Sequence, residues 1–168
     1  PWQTPATMNH TWAWHPHDFN WKSSETLIRL LAGNAAFGGN YLLNIGPRAD
    51  GTIPSPSIRR LREIGAWLEA HGESIYGASP LDAVPAPEWG YLTGRVEGDG
   101  QIVYAHVLDW QDGVLTLPEQ LGRIAKGMVL ETGEPVATGE DGRSFSKPSG
   151  GVHPAVAVIR LSMVGKHA

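Results

Sequence analysis

The run from Gly38 to Pro54 constrains the fold of this chain more than any other part of its sequence. Two glycines, Gly38 and Gly39, end a preceding helix, and the mostly apolar residues 41–45 predict a short strand suited to a parallel sheet. A Gly-Pro stop, an Asp-Gly turn and a second helix with proline in its first turn follow. This order is typical of a (β/α) repeat, in which the carboxyl end of each strand lies at the active face. Asn44 stands at that end, either as a functional side chain or as a cap of the turn.

Two amphipathic helices flank this strand. Ser23 or Ser24 is expected to cap the first helix, because a serine oxygen can accept a hydrogen bond from an amide of the first turn. Ser55 and Pro56 begin the second. Helical spacing predicts that each helix buries one face. The predicted buried residues are Leu27, Leu30, Leu31 and Ala35 in the first helix and Ile58, Leu61, Ile64, Gly65 and Leu68 in the second.

Residues 1–22 predict a loop broken by prolines that carries four of the seven tryptophans of the chain. His15, His17 and Asp18 within it have the composition of a metal site. No cysteine or further carboxylate follows at a ligand spacing. We therefore expect exposed polar residues here and no metal ion.

Beyond Ser79 the pattern changes to short strands. Pro80, Pro85 and Pro87 indicate a linker, and turns of glycine and aspartate then recur about every 8–12 residues, as in an antiparallel β-sandwich. The Glu97–Gly100 turn joins two of the runs. The predicted strands include residues 102–108, 114–117, 124–130, 135–138, 143–146 and 156–163.

The change of pattern predicts two domains. Residues 1–79 form an α/β part, and residues 80–168 form the linker and the β-sandwich. The boundary is expected between Ile75 and Glu88, where helical periodicity gives way to alternation.

Composition argues against several classes of partner and site. The formal net charge is −4 and no basic run occurs, so nucleic-acid binding is not expected. The chain has no cysteine, so disulfides and thiolate metal sites are excluded. No apolar run approaches the roughly 18 residues of a membrane span. The first residue is Pro1, so we expect the true N-terminus to be missing and cannot read a targeting signal.

Several blocks of sequence stand in a fixed order and spacing: Thr7–Trp14, Asp18–Ser23, Gly39–Pro47, Asp50–Pro54, Leu61–Leu68, Gly72–Gly77, Trp89–Thr93 and His106–Trp110. They resemble the alpha-L-fucosidases of glycoside hydrolase family 29, most specifically in the first half of the chain. The resemblance implies an α/β plus all-β fold. It consists of the last βα elements of a (β/α)8-type barrel followed by a C-terminal antiparallel β-sandwich.

The resemblance also implies retaining hydrolysis of terminal alpha-L-fucose from glycans. Such an enzyme needs two carboxyl groups about 5–5.5 Å apart. The nucleophile of the family is an aspartate on an earlier barrel strand, and no segment here resembles the motif around it. We therefore expect the nucleophile to lie outside this chain, and the chain alone to be inactive.

Gln3 stands where many relatives carry a glutamate that is a candidate acid/base. An amide cannot donate and recover a proton near neutral pH. The acid then comes from elsewhere, or the position binds substrate in this subgroup, or the chain is impaired. The remaining alternative is an ordinary polar residue.

Trp12 and Trp14 match a Ser/Thr-Trp-Gly-Tyr block of the family, with Ala13 and Trp14 in place of its glycine and tyrosine. Aromatic faces suit the C–H surface of a pyranose. The resemblance therefore implies that Trp12, Trp14 and Asn44 bind substrate, with packing under the barrel rim as the alternative for the tryptophans.

His106, Asp109 and Trp110 include residue types of a catalytic triad. No nucleophile motif accompanies them, so a structural role is expected.

No cofactor or metal is implied, and the expected partner is a fucosylated glycan. The family suggests a secreted or periplasmic location, which no residue here shows, and the oligomeric state is not indicated. The rival interpretation is a non-catalytic carbohydrate-binding or truncated structural module. An aspartate at the end of a barrel strand in the upstream sequence would favour the enzyme.

Overall fold

The computed structural model describes residues 2–98 and 100–164. Its first half alternates strands and helices: β1 (Trp2–Thr7), α1 (Ser24–Ala36), β2 (Gly39–Asn44) and α2 (Ser55–His71), then a short 3-10 helix (Gly72–Ser74). β1 and β2 pair in parallel, with Trp2 opposite Gly39 and Thr7 opposite Asn44. Both strands therefore end at the same edge, and the loops 8–23 and 45–54 leave from it.

The second half is made of strands. They are β3 (Gly90–Glu97), β4 (Gly100–Val107), β5 (Val114–Thr116), β6 (Ile124–Val129), β7 (Pro135–Val136), β8 (Ser144–Ser146) and β9 (Ala157–Met163). Five of them form an antiparallel sheet in the order β3-β4-β9-β6-β7, and β5 pairs with β8 separately. The predicted strands of this half are confirmed to within a few residues at their ends.

The helix boundaries also agree with the predicted capping residues. Ser23 is the N-cap of α1, and its hydroxyl accepts a hydrogen bond from the amide of Thr26 at 3.1 Å. Gly38, with φ +73°, ends the segment after α1 in the left-handed region that favours glycine. Pro56 lies in the first turn of α2.

The prediction of a loop over residues 1–22 is wrong for residues 2–7, which form β1. Pro5 within this strand argued against it, because proline lacks a ladder donor. The pairing with β2 accommodates Pro5, which lies opposite Leu42, and β2 is distant in sequence. Local pattern alone could not indicate that pairing.

The predicted buried faces of the helices are wrong in part. Leu30 and Leu61 are exposed, whereas polar side chains of α2 lie in its buried stripe. The residues that α2 buries are Ser57, Arg60, Ile64, Trp67 and His71. Buried polar groups are tolerated when they are hydrogen-bonded, as Trp67 Nε1 is to the carbonyl oxygen of Val156 at 3.0 Å. Apolar periodicity therefore indicated a face rotated away from the real one.

The central strands of the five-stranded sheet are covered on both faces, because side chains alternate along them. On one face, Tyr104 and Val158 pack with Leu27 and Trp67 of the helices. On the other, the alternate residues of β4 and β9 pack with β5 and β8 around Phe145. The helices and the sheet thus share one core across the predicted boundary near residue 79. The division into two domains stays a prediction.

A buried polar chain joins the 3-10 helix to the sheet. The Thr93 hydroxyl donates to the Ser74 carbonyl oxygen at 2.8 Å, and Thr93 Oγ1 lies 3.0 Å from His106 Nε2. Since the hydroxyl has one proton, His106 Nε2 must donate to Thr93, which leaves Nδ1 unprotonated. Burial lowers the pKa of His106 to about 3, and the neighbouring His71 acts in the same direction.

Glu73, in the 3-10 helix, is the centre of a charged cluster beside these hydrogen bonds. Its carboxylate accepts from the Tyr104 hydroxyl, from Arg160 Nε at 3.1 Å, and lies 3.2 Å from Arg95. The hydrogen bond from Tyr104 is the main reason that the pKa of Glu73 is lowered. Glu97 pairs with both arginines at 3.0 and 2.7 Å. The cluster links the end of α2 to β3, β4 and β9.

Within residues 2–98 and 100–164, the helices are too short or too polar to cross a membrane.

Limited proteolysis is expected to cut first between Ile75 and Glu88. This segment is proline-rich and mostly exposed, and an isolated bridge of Ser79 with Gly94 ties it to β3. Chymotrypsin has Tyr76 available there, with the side chain 66% exposed. Because the core spans the cut, the two pieces should co-elute in size-exclusion chromatography. Initial cleavage inside β2 or β4 would contradict this prediction.

The buried His106 should make the fold sensitive to acid. Its pKa falls from 6.5 in the unfolded chain to about 3 in the fold. The unfolded state therefore takes up the proton first. The contribution of His106 to stability is complete above its unfolded pKa and declines as pH falls toward the folded value, by about 1.4 kcal/mol per pH unit.

Urea unfolding at two pH values tests this dependence. His106→Gln should lose less free energy of unfolding than the unchanged protein between about pH 7 and about pH 5. Leu115→Ala, which removes a buried side chain without a titratable group, should lower that free energy similarly at both pH values. Equal pH dependence in His106→Gln and the unchanged protein would refute the prediction.

Candidate active site

The carboxyl ends of β1 and β2 form an edge that is walled by the loop of residues 8–22. The loop is closed at its base, where Lys22 N donates to the Met8 carbonyl oxygen at 2.8 Å. The Lys22 ammonium donates to the carbonyl oxygens of Thr7 at 2.7 Å and Asn9 at 3.3 Å. Met8 and Asn9 are buried. The loop therefore starts and ends on a fixed base.

Asp18 organises the middle of this loop. Its Oδ2 accepts from the amides of His10 and Thr11 at 3.0 and 3.1 Å and from the Thr11 hydroxyl at 3.1 Å. Its Oδ1 accepts from the Asn20 amide at 3.2 Å. Desolvation raises the pKa of Asp18, but these hydrogen bonds outweigh it and hold that pKa below its usual value. Asp18 thus ties segment 10–11 to segment 18–20 of the loop.

Asn44 connects the two strand ends. Its Nδ2 donates to the Trp12 carbonyl oxygen at 2.7 Å. Gly46, just beyond, lies under the same segment, because a Cβ there would stand 2.7 Å from the Trp14 backbone nitrogen. Segment 12–14 therefore rests on the exit of β2, and only glycine permits this approach.

Trp12 and Trp14 stand on this edge with open ring surface. Their side chains are 57% and 38% exposed, so neither is packed away in the described residues as a core residue would be. The structure thus brings Trp12, Trp14 and Asn44 together. Substrate binding by the three stays a prediction, with a geometry that suits it.

Gln3 is not part of this group. It lies opposite Asn40 near the start of both strands, four residues before Thr7. At about 3.3 Å per residue it stands about 13 Å from the edge where Asn44 lies. Its neighbour Trp2 donates to the Phe37 carbonyl oxygen at 3.2 Å, at the opposite end of the sheet. Gln3 therefore lies apart from Trp12, Trp14 and Asn44, and its acid/base role stays a prediction.

His15 and His17 lie side by side in the exposed part of the loop. Their rings meet edge to face at 5.8 Å, and the His17 amide donates to His15 Nδ1 at 3.3 Å. Among the described residues, no three His, Cys, Asp or Glu side chains converge as a metal site would require.

His106, Asp109 and Trp110 make contacts that stabilise the fold of the second half. His106 is fully buried and takes part in the hydrogen bonds with Thr93 and Ser74 described above. Asp109 Oδ1 accepts from the Gln111 amide at 2.9 Å, and Trp110 packs edge to face on Phe145 at 6.2 Å. The expected structural role of these residues is confirmed.

Sequence reasoning missed the part that Lys22 plays. A lysine directly before the N-cap of a helix usually lies in solvent, and no pattern marks it as the base of a loop. The signal is tertiary, because its ammonium donates to carbonyl oxygens of residues that lie 13 and 15 positions earlier in the sequence.

Replacement of Asp18 is expected to loosen the loop. In Asp18→Asn the neutral amide accepts weaker hydrogen bonds, so the amides of His10 and Thr11 should exchange with solvent about tenfold faster. Hydrogen exchange resolved by residue measures this. Asp50→Asn is the matched control, because Asp50 accepts from the Thr52 amide and hydroxyl in the other loop. Unchanged exchange at His10 and Thr11 in Asp18→Asn would overturn this assignment.

Comparison with known proteins identifies the family to which the chain belongs. Residues 1–73 match the family model described as Alpha-L-fucosidase. The chain is 37% identical over 126 residues to an alpha-L-fucosidase of Dictyostelium discoideum, which covers 72% of this chain and 26% of that protein. It is 37% identical over 146 residues to plasma alpha-L-fucosidase of Rattus norvegicus, with 83% of this chain and 29% of that protein covered.

A solved structure extends the likeness along the whole fold. Alpha-L-fucosidase isoenzyme 1 from Paenibacillus thiaminolyticus superposes with a TM-score of 0.84 at 34% identity, covering 98% of this chain and 40% of that one. The chain thus spans well under half the length of these relatives. It belongs to the alpha-L-fucosidases of glycoside hydrolase family 29 and corresponds to the C-terminal portion of its members.

Proposed function

We propose that this chain is the C-terminal part of a retaining alpha-L-fucosidase that releases terminal alpha-L-fucose from glycans. One observation carries the proposal. The hydrogen bond from Asn44 to Trp12 assembles an open aromatic surface at the carboxyl edge of a parallel strand pair. This edge lies within the residues that match the family, and it is where barrel enzymes bind substrate.

In this proposal, β1, α1, β2 and α2 are the last two βα units of a (β/α)8 barrel, and residues 80–168 are the linker and a C-terminal β-sandwich. Two strands cannot close a barrel, so the remaining strands come from outside the chain. The parallel pairing and the alternating order of strands and helices support this arrangement.

The three predicted binding residues suit a sugar. The exposed faces of Trp12 and Trp14 can cover the C–H surface of a pyranose, and their indole N–H groups can donate to hydroxyl groups. Asn44 uses its amide nitrogen on Trp12. Its carbonyl oxygen remains to accept from a sugar hydroxyl. Binding and orientation of fucose are thus the proposed contribution of this edge.

The carboxyl groups of the two loops are unsuited to the chemical steps. A retaining mechanism needs one carboxylate to attack the sugar carbon and one carboxylic acid to protonate the leaving oxygen. Asp18 and Asp50 are each held by several donors that lower their pKa, so both stay ionised and occupied. The nucleophile, which forms the covalent glycosyl-enzyme intermediate, is therefore proposed to come from outside residues 1–168.

The proposal is tested on the complete protein that contains this chain. It should release nitrophenol from an aryl alpha-L-fucoside, with alpha-fucose as the first product in NMR spectra, as retention requires. Trp12→Ala should lower kcat/KM about tenfold through the lost ring contact. Trp2→Phe, at the opposite end of β1, should change it less than about twofold.

Two outcomes would contradict the proposal. Beta-fucose as the first product would exclude retention, and fucose binding without turnover by the complete protein would favour the carbohydrate-binding module. The isolated chain should show no turnover. Activity that survives repurification and is abolished by a point change within residues 1–168 would place the catalytic groups here.

Gln3→Glu in the complete enzyme tests the acid/base prediction. If Gln3 held that position, the new acid would accelerate cleavage of poor leaving groups by about 10²–10⁴. Its place near the start of β1 leads us to expect less than a twofold change of kcat/KM, about equal across a leaving-group series. A gain that grows as the leaving group becomes poorer would restore Gln3 to the acid/base role.

A further inference from the structure

We propose that His15, His17 and Phe19 form the binding surface for the sugar from which fucose is removed. The enzyme would then prefer fucose attached to an oligosaccharide over fucose on a small leaving group. This inference rests on the proposed function and assigns these residues a role that differs from fucose binding.

Loop contacts bring the three residues beside the predicted fucose-binding edge. Asp18 accepts from the amide and the hydroxyl of Thr11, both at 3.1 Å, so segment 17–19 lies alongside segment 10–12. Thr11 precedes Trp12, whose carbonyl oxygen is bound by Asn44. The surface that begins at the strand ends with Trp12 thus continues outward to Phe19.

Within the described residues, the Phe19 ring is exposed and packs against no core. Its ring is 77% exposed, the second-highest exposure among the large apolar side chains of the described residues. A single exposed apolar side chain is ordinary. Here five rings follow within the eight residues 12–19, namely Trp12, Trp14, His15, His17 and Phe19. Such a run of open rings is typical of a recognition surface.

The backbone beneath these rings is already ordered. The Trp21 amide donates to the Phe19 carbonyl oxygen at 3.0 Å, and the Asp18 amide donates to that of His15 at 3.2 Å. Asn20 is held by Asp18 at 3.2 Å. Binding of a ligand to the rings would therefore cost little conformational entropy of the loop, which favours affinity.

The side chains of His15, His17 and Phe19 suit a neutral ligand with many hydroxyl groups. Asp18 is the one Asp, Glu, Lys or Arg within residues 12–19, and its carboxylate is saturated by loop donors. The ring of Phe19 offers only an apolar face, which suits the C–H face of a pyranose. His15 and His17 add ring nitrogens that can exchange hydrogen bonds with hydroxyl groups. A saccharide combines both kinds of group without charge.

Two substrates separate this role from fucose binding. Alpha-L-fucosyl fluoride carries no leaving sugar, whereas a fucosylated trisaccharide carries two sugars beyond the fucose. In the complete enzyme, Phe19→Ala should lower kcat/KM for the trisaccharide about tenfold, the loss expected for one aromatic contact, and leave the fluoride within about twofold. Phe19→Tyr, which retains the ring, should restore the trisaccharide rate.

Phe37→Ala is the matched control. Phe37 is also an exposed phenylalanine, at 58%, but it follows α1 at the opposite end of the strands. It should leave the ratio of the two rates unchanged. Thermal unfolding of each variant shows whether the fold is intact.

The outcomes are distinguishable. If the unchanged enzyme does not hydrolyse the fluoride, the proposed function fails, and this inference with it. If it does, and Phe19→Ala changes neither rate, Phe19 does not bind the leaving sugar. If Phe19→Ala lowers both rates equally and lowers the Tm, Phe19 packs against another part of the protein, which also overturns the inference. A selective loss with the trisaccharide supports it.

Discussion

The parallel register of β1 and β2 decides where every side chain of the candidate site lies. With Thr7 opposite Asn44, the loops after both strands leave from one edge, and Asn44 can reach the Trp12 carbonyl oxygen at 2.7 Å. The same register puts Gln3 beside Asn40, at the other end. A shift of one residue would turn every side chain to the opposite face. The backbone pairing of β1 and β2 therefore decides which side chains meet at this edge.

The helices are fixed to the sheet by polar as well as apolar contacts. The apolar core supplies the larger driving force, because burial of area is not directional. The orientation of the helices on the sheet is set by directional contacts. These are the Ser74–Thr93–His106 hydrogen bonds and the contacts of Glu73, whose partners lie on three strands. Removing one partner would leave a buried or partly buried group unsatisfied. Any change in the tilt of α2 relative to the sheet would break several of these bonds together.

Most of the element boundaries could be predicted from the sequence, because they depend on local chemistry. Ser23, Gly38 and Pro56 act within one helical turn, and the turns between β3 and β9 carry their own glycines and aspartates. The strand β1 could not be predicted, since it exists through pairing with a segment more than thirty residues away. The buried stripe of α2 was missed for a related reason. Arg60 and His71 are buried by partners that lie elsewhere in the sequence.

The candidate site shows the same division. The aromatic residues and Asn44 could be selected by residue type, and the structure brings them together, but their orientation depends on Lys22 and Asp18. The Lys22 ammonium and the Asp18 carboxylate both use their hydrogen bonds to hold the loop. A carboxylate that accepts four hydrogen bonds is a poor proton donor, because those bonds stabilise its ionised form. The electrostatics that make the loop rigid enough to present Trp12 and Phe19 therefore also remove Asp18 from acid–base chemistry. If this edge binds substrate as proposed, the proton transfer of a retaining mechanism has to come from a carboxyl group with fewer donors around it.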